Sequence, residues 1–146
     1  MAEWVLKSFD ELKPSEIYEI LQLRMKTFIV EQKRSYLEID GNDPKTLHFF
    51  KREGGIIIAY SRILPPGVTF SNSSIGRIVV RKESRGTGLG RELVKRSIEI
   101  AKKEWNTTME ISAQLHLEKF YNSFGFKTIS DIYDKEGVPH VNMILD

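Results

Sequence analysis

Residues 75–90 read Ile-Gly-Arg-Ile-Val-Val-Arg-Lys-Glu-Ser-Arg-Gly-Thr-Gly-Leu-Gly. A β-branched run passes through a short charged stretch into three alternating glycines, Gly86, Gly88 and Gly90. A helical pattern follows and ends near Trp105. A strand that breaks into a glycine turn and opens a helix leaves few folds open. Glycine lets the backbone adopt left-handed conformations and come close to a ligand. The first N–H groups of the helix have no internal partner. Such a junction suits a phosphate group, so a phosphate-bearing cofactor is the leading expectation.

The rest of the chain frames this junction. Residues 4–9 are strand-like. Pro14, in Lys13-Pro14-Ser15-Glu16, starts a helix, because a first-turn N–H has no partner to lose. Ile17, Ile20, Leu21, Arg24 and Phe28 continue at mostly helical spacing. The pattern fails over residues 31–44. There Glu31, Glu38, Asp40 and Asp43 meet Lys33 and Arg34, and Asp40-Gly41-Asn42-Asp43-Pro44 has turn chemistry, so a short helix or loop is expected. Residues 47–51 and 56–64 read as a hairpin about Glu53-Gly54-Gly55, and residues 74–81 as the next strand. Leu89, Leu93, Val94, Ile98, Ala101 and Trp105 mark the buried face of the helix after the glycines. A strand at 109–113, a helix at 115–124 stopped by Gly125, and strands at 127–133 and 138–145 complete the chain. The order β-α-α-β-β-β-α-β-α-β-β predicts a mixed sheet in an α/β (α+β) fold. A length of 146 residues suits a single domain over 1–146.

Composition closes several routes. No cysteine is present, which removes disulfides, thiolate catalysis and cysteine metal sites. His48, His116 and His140 lie far apart without metal-binding spacing, so no metal is expected. The N-terminal Met-Ala-Glu-Trp lacks the basic flank and apolar stretch of a signal peptide. The longest apolar run, residues 56–60, is too short to span a bilayer. A cytoplasmic location without a membrane partner is expected. Net charge is +2, yet residues 77–103 hold nine Arg or Lys against three acids. This excess reads either as a solvated helix face or as a feature suited to a polyanionic ligand. No basic-aromatic ribbon or nucleic-acid motif accompanies it, so no nucleic acid is expected.

The glycines match neither common phosphate motif. No Gly-Lys-Ser or Gly-Lys-Thr completes a P-loop. Gly-x-Gly-x-x-Gly fails because Arg91 and Leu93 stand where the third glycine would be. What remains is Arg85-x-x-Gly88-x-Gly90. It resembles the acyl-CoA signature Gln/Arg-x-x-Gly-x-Gly/Ala of the Gcn5-related N-acetyltransferase (GNAT) family. Phe120-Tyr121-Asn122-Ser123-Phe124-Gly125-Phe126 resembles that family's Tyr-x-x-x-Gly-Phe segment, and the order of elements is similar along the whole chain. Leu23-Arg24-x-x-x-Phe28-Ile29-Val30-Glu31-Gln32, Tyr36-x-x-x-Asp40-Gly41-Asn42-Asp43, Ala113-Gln114-x-His116 and Val138-Pro139-His140-Val141 resemble the ElaA-like branch.

The resemblance implies a GNAT-like fold: a mixed, mostly antiparallel central sheet of about seven strands flanked by helices. It implies an N-acetyltransferase that moves an acetyl group from acetyl-CoA to a primary amine by direct attack in a ternary complex, with no metal. Cofactor contacts would come from Ile78, Val79 and Val80 beside the pantetheine arm. Arg85, Gly86, Thr87, Gly88, Leu89, Gly90 and Arg91 would surround the pyrophosphate, with Gln114 added from the ElaA-like segment. Tyr121 would be the general acid, since a phenol titrating near ~10 stays protonated at neutral pH. On the isolated helix Tyr121 reads as a core residue beside Phe120 and Phe124. Residues 74–80 contain no acid to act as base. Glu31, His116 and His140 are the candidates, each also readable as structural. On a regular helix His116 and Tyr121 point ~140° apart. Arg24, on a mostly apolar face, is either a buried ion-pair partner or a substrate contact. The acceptor is a small-molecule or peptide amine of open identity, and a homodimer stays open. The alternative reading is a non-catalytic acyl-CoA-binding or regulatory module.

Overall fold

The computed structural model describes residues 2–146. Strands β1 (Ala2–Ser8), β2 (Leu47–Glu53), β3 (Ile56–Leu64) and β4 (Ser74–Val80) form an antiparallel sheet in chain order. Gly54 and Gly55 sit at φ +59° and +83°, the left-handed region where glycine carries no Cβ penalty, and they turn β2 into β3. Helix α1 (Pro14–Arg24) begins at its proline, and the Lys13 N–H donates to Glu16 Oε1 at 2.8 Å. Leu12, Ile20 and Leu23 pack on Phe50, Ile57, Tyr60 and Val79 on one face of the sheet. Helix α2 (Leu89–Trp105) covers the other face, setting Leu93, Val94 and Ile98 against Phe49, Ile58 and Ile63. With a layer on each side, β3 is buried from Ile57 to Leu64, which explains the apolar run over residues 56–60. The β2–β3 register slips between Lys51 and Arg52, and this bulge lets consecutive residues Ile58 and Ala59 both join the α2 layer.

A second antiparallel sheet holds β5 (Met109–Gln114), β8 (Val138–Leu145), β6 (Lys127–Thr128) and β7 (Tyr133–Lys135), with β6 and β7 both paired to β8. The two sheets meet at the starts of β4 and β5. Ser73 and Met109 form a single parallel bridge there, and the Glu110 N–H donates to the Ser73 carbonyl at 2.9 Å. Among the described residues no further rung joins the two strands, so a cleft lies between them toward their carboxyl ends.

Three boundaries differ from expectation. The strand expected at 127–133 is two short strands, making eight among the described residues. Ser130 Oγ takes the Asn142 N–H at 2.8 Å in place of a backbone carbonyl, which interrupts the ladder. The helix expected at 115–124 is a 3-10 turn, Leu115–Leu117, followed by the short α3 (Glu118–Asn122). Gly125 then ends it at φ +102°, where a Cβ would lie 3.0 Å from Leu145 Cδ1. Helix α1 runs on into a π-helical stretch, Met25–Glu31, and residues 32–42 are loop before a 3-10 turn at Asp43–Lys45. Wide π turns are frequent at functional sites, and this one carries Phe28 to the cleft.

Candidate active site

The glycine turn sits where β4 ends and α2 begins. Gly86 and Gly88 lie at φ +80° and +84°, and a Cβ at either would meet nothing within 4 Å. Conformation, not crowding, therefore requires glycine here, since an L-residue pays ~1–2 kcal/mol in this region. Residues 85–88 are exposed. The amides of Gly86, Thr87, Gly88, Leu89 and Gly90 donate to no protein acceptor among the described residues. They stand at the positive end of the α2 dipole, an arrangement suited to an anion.

Arg85 is engaged elsewhere. Its Nη1 and Nη2 donate to Glu31 at 2.7 and 2.8 Å, and its Nε donates to the Val80 carbonyl at 2.9 Å. Hydrogen bonding from Arg85 holds the Glu31 carboxyl below its ordinary range. Arg91 donates from Nη1 to Ser123 Oγ at 3.0 Å and lies 4.6 Å from the Phe124 ring centroid. It ties α2 to the segment after α3.

A cavity of about 760 Å³ occupies the cleft between β4 and β5. Ile78 and Gln114 line it; Val79 instead packs in the α1 layer, and Val80 lies under Gly90. The β3–β4 register passes from Tyr60–Val79 to Arg62–Gly76, so a bulge leaves Arg77 and Ile78 without β3 partners. Arg77 adopts φ +49° at this bulge. Gln114 Nε2 donates to Gln32 Oε1 at 3.4 Å.

Tyr121 and His140 line the same cavity. Tyr121 is 8% exposed, and burial pushes its phenol up to about 12, so it stays protonated at neutral pH. His140 donates from Nδ1 to the Val138 carbonyl at 2.8 Å, which leaves Nε2 as the lone-pair nitrogen. Burial lowers the His140 pKa, the Val138 carbonyl opposes this, and the nearby Lys135 and Arg34 charges reinforce it. A polar chain runs alongside: the Tyr133 hydroxyl donates to Asn142 Oδ1 at 2.5 Å and contacts Ser112 Oγ at 2.5 Å. Glu31 and His116 lie outside the cavity, Glu31 on Arg85 and His116 exposed on the 3-10 turn. The structure thus brings together two of the four candidate catalytic residues.

The cavity roof is the loop over residues 32–46, held by a closed ring of six charges. Arg24 Nε donates to Glu38 Oε2 at 2.9 Å, and Arg77 Nε donates to the same oxygen at 2.7 Å. Arg77 Nη2 and Arg62 Nη2 reach Asp40 Oδ2 at 3.3 and 2.8 Å. Arg62 Nη1 and Arg24 Nη1 reach Asp43 Oδ1 at 3.0 and 2.8 Å, closing the circuit. Tyr36 adds its hydroxyl to Glu38 Oε1 at 2.6 Å. Burial alone would raise Asp40 and Asp43. Hydrogen bonds from Arg62 and the Asn42 amide to Asp40, and from Arg24 and Arg62 to Asp43, outweigh it and hold both below the usual carboxylate range. Arg24 is therefore an ion-pair partner at 0% exposure. Arg62 and Arg77 were not anticipated. A charge inside the aliphatic strand 56–64 was the available signal, because a buried arginine requires partners.

Parallel strands that part beside an open-amide glycine turn, with a protonated phenol and a neutral imidazole between them, define an acyltransferase type of fold. Known proteins of similar sequence and structure share this architecture. An acyl-CoA N-acyltransferase from Pseudomonas aeruginosa superposes with a TM-score of 0.94 at 36% identity, covering 99% of each chain. The crystal structure of Escherichia coli ElaA superposes at 0.93 over 100% of both chains with 34% identity. A UPF0039 protein of Synechocystis is 37% identical over 143 residues, 97% of this chain and 93% of its own. The family model of the acetyltransferase (GNAT) domain matches residues 10–146. The chain belongs to the GNAT acetyltransferase family, among the ElaA and UPF0039 proteins. Among the described residues no helix is long and apolar enough to cross a membrane.

Proposed function

We propose that the protein transfers an acetyl group from acetyl-CoA to a primary amine within a ternary complex. The observation that carries this reading is the row of unpartnered amides at residues 86–90, in the turn that follows β4, one wall of the cleft that also holds Tyr121 and His140. The amides and the α2 terminus receive the pyrophosphate, and the pantetheine arm lies between β4 and β5. The bulged backbone at Ile78, free of a β3 partner, faces the thioester carbonyl and stabilises its developing negative charge. The amine nitrogen attacks that carbon, and its proton passes to His140 Nε2. The C–N bond forms, the C–S bond breaks, and the Tyr121 hydroxyl protonates the departing thiolate. Solvent returns the proton from His140 to Tyr121, so the cycle closes on an amide and a free thiol.

The test is direct. Acetyl-CoA at 100 times its Kd should stabilise the fold by about 2.7 kcal/mol, and release of free thiol should require an added amine. No rise in melting temperature at millimolar acetyl-CoA would remove the assignment.

A further inference from the structure

The acceptor end of the cavity is lined by four cationic side chains, Arg34, Arg62, Arg77 and Lys135, and by two carboxylates, Asp40 and Glu136. Asp40 is not free for a ligand. Its two oxygens receive Arg62 and Arg77, and Oδ1 also takes the Asn42 N–H at 3.0 Å. Arg62 and Arg77 are balanced within the ring. Arg34 and Lys135 are not. Among the described residues neither has a carboxylate within 4.0 Å. Arg34 Nη2 donates only to the carbonyls of Lys135 and Glu136, at 3.2 and 3.5 Å, while its guanidinium rests 4.7 Å from the Tyr36 ring centroid. Its Nε is buried and unpartnered. Among the described residues Lys135 Nζ reaches only Ser112 Oγ, at 3.4 Å. The remaining carboxylate, Glu136, sits exposed on the β7–β8 turn.

We infer that the acceptor is a small primary amine that itself carries an anionic group, carboxylate or phosphate, held by Arg34 and Lys135. This rests on the acetyl-transfer reading and narrows its substrate. A diamine or polyamine would bring further positive charge toward two unneutralised cations, with one rim carboxylate to oppose them. An anionic tail pairs with those cations instead. The same field disfavours the ammonium form of the acceptor, leaving the neutral amine that attack requires. Partial desolvation, then the Arg77 and Arg34 charges, already lower the pKa of Lys135 itself, although the residue as a whole is exposed.

The experiment uses the whole protein, saturating acetyl-CoA and a free-thiol readout on matched amines. The pairs are phenylalanine with phenylalaninamide and O-phosphoethanolamine with ethanolamine, and 1,4-diaminobutane is a separate arm. An anionic member should exceed its neutral mate about tenfold or more in kcat/KM, a difference worth ~1.4 kcal/mol. Whichever pair shows it identifies carboxylate or phosphate as the tail. Lys135→Met and Arg34→Met should bring that ratio toward one through KM, and Lys135→Arg should keep it. Preference for the diamine or for the neutral mates, or a ratio indifferent to both substitutions, would overturn the inference. Coenzyme A stabilisation, measured on the same samples, separates the two levels. Stabilisation without acetylation of any anionic amine defeats the acceptor assignment alone, whereas no stabilisation defeats the acetyl-transfer reading and the acceptor with it.

Discussion

Two polar clusters flank the cavity, and they treat their hydrogen-bonding groups in opposite ways. In the ring of Arg24, Glu38, Arg77, Asp40, Arg62 and Asp43, every charge meets two of opposite sign within 3.3 Å. In the turn at residues 86–90, five successive amides meet no protein acceptor among the described residues. The ring lies inside, with Arg24, Glu38, Arg62 and Asp43 all buried, whereas most of the turn faces water. A buried ring of this kind need not stabilise more than apolar packing would, but removing one member strands the others in a poor solvent. Its effect is to hold an otherwise irregular loop in one place. The turn does the reverse, keeping donors available for a guest. Saturation marks what must stay fixed, and unpaired donors mark where something is to bind.

Glu38→Ala tests the first half of this contrast with the largest expected effect. It leaves Arg24 buried without one of its two partners and should cost about 3–5 kcal/mol in denaturant unfolding. A cost under ~1 kcal/mol would mean that the ring is ornamental. Gly88→Glu tests the other half. It places a side chain and a negative charge among the open amides and should weaken coenzyme A binding by about 100-fold or more, ~2.7 kcal/mol. The folded state itself should lose only the ~1–2 kcal/mol of a left-handed L-residue. Retained affinity by calorimetry would reduce the turn to a mere connection. Tyr121→Phe should lower kcat about 100-fold with coenzyme A affinity nearly intact, and an unchanged kcat would return Tyr121 to the core.

Acid should act on the protein in two stages, first at two buried histidines and then at the ring. His48 and His140 both have pKa values lowered, chiefly by burial. Below their ordinary value of ~6.5 the unfolded chain binds more protons than the folded one, so stability falls as pH falls. Asp40 and Asp43 are held below the ordinary carboxylate value, so their contribution, complete above ~4, is lost on further acidification. Urea midpoints measured from pH 7 to pH 3 should decline in that order, and a flat profile would contradict it. The smallest effect belongs to Glu31→Gln. This half-exposed pair with Arg85 should change stability by at most ~1 kcal/mol, and a larger loss in thermal unfolding would show that the turn is braced rather than open.

What could be read from the chain was what short-range chemistry decides. Pro14, the Gly54–Gly55 hairpin and the left-handed glycines at 86 and 88 each answer to backbone requirements within a few residues. The ring answers to contacts 14 to 39 residues apart. Arg24 on an apolar helix face and the acids after Glu31 were visible as groups in need of partners. Which would meet which depended on the β3 and β4 registers. The strand at 127–133 failed for a related reason, because the side chain of Ser130 competes with backbone pairing. Tyr121 stood out only through the family resemblance, since beside Phe120 and Phe124 it reads as core. His140 and Glu31 were equal candidates until β8 carried one into the cavity and Arg85 held the other outside it.

The lone bridge between Ser73 and Met109 leaves β4 and β5 each with a stretch of bare backbone rim. On an outer surface such rims invite another chain to add itself as a strand. Here they look at each other across the crevice that holds the cavity. The gap therefore acts as a gauge, admitting guests by their cross-section before any side chain can inspect their chemistry.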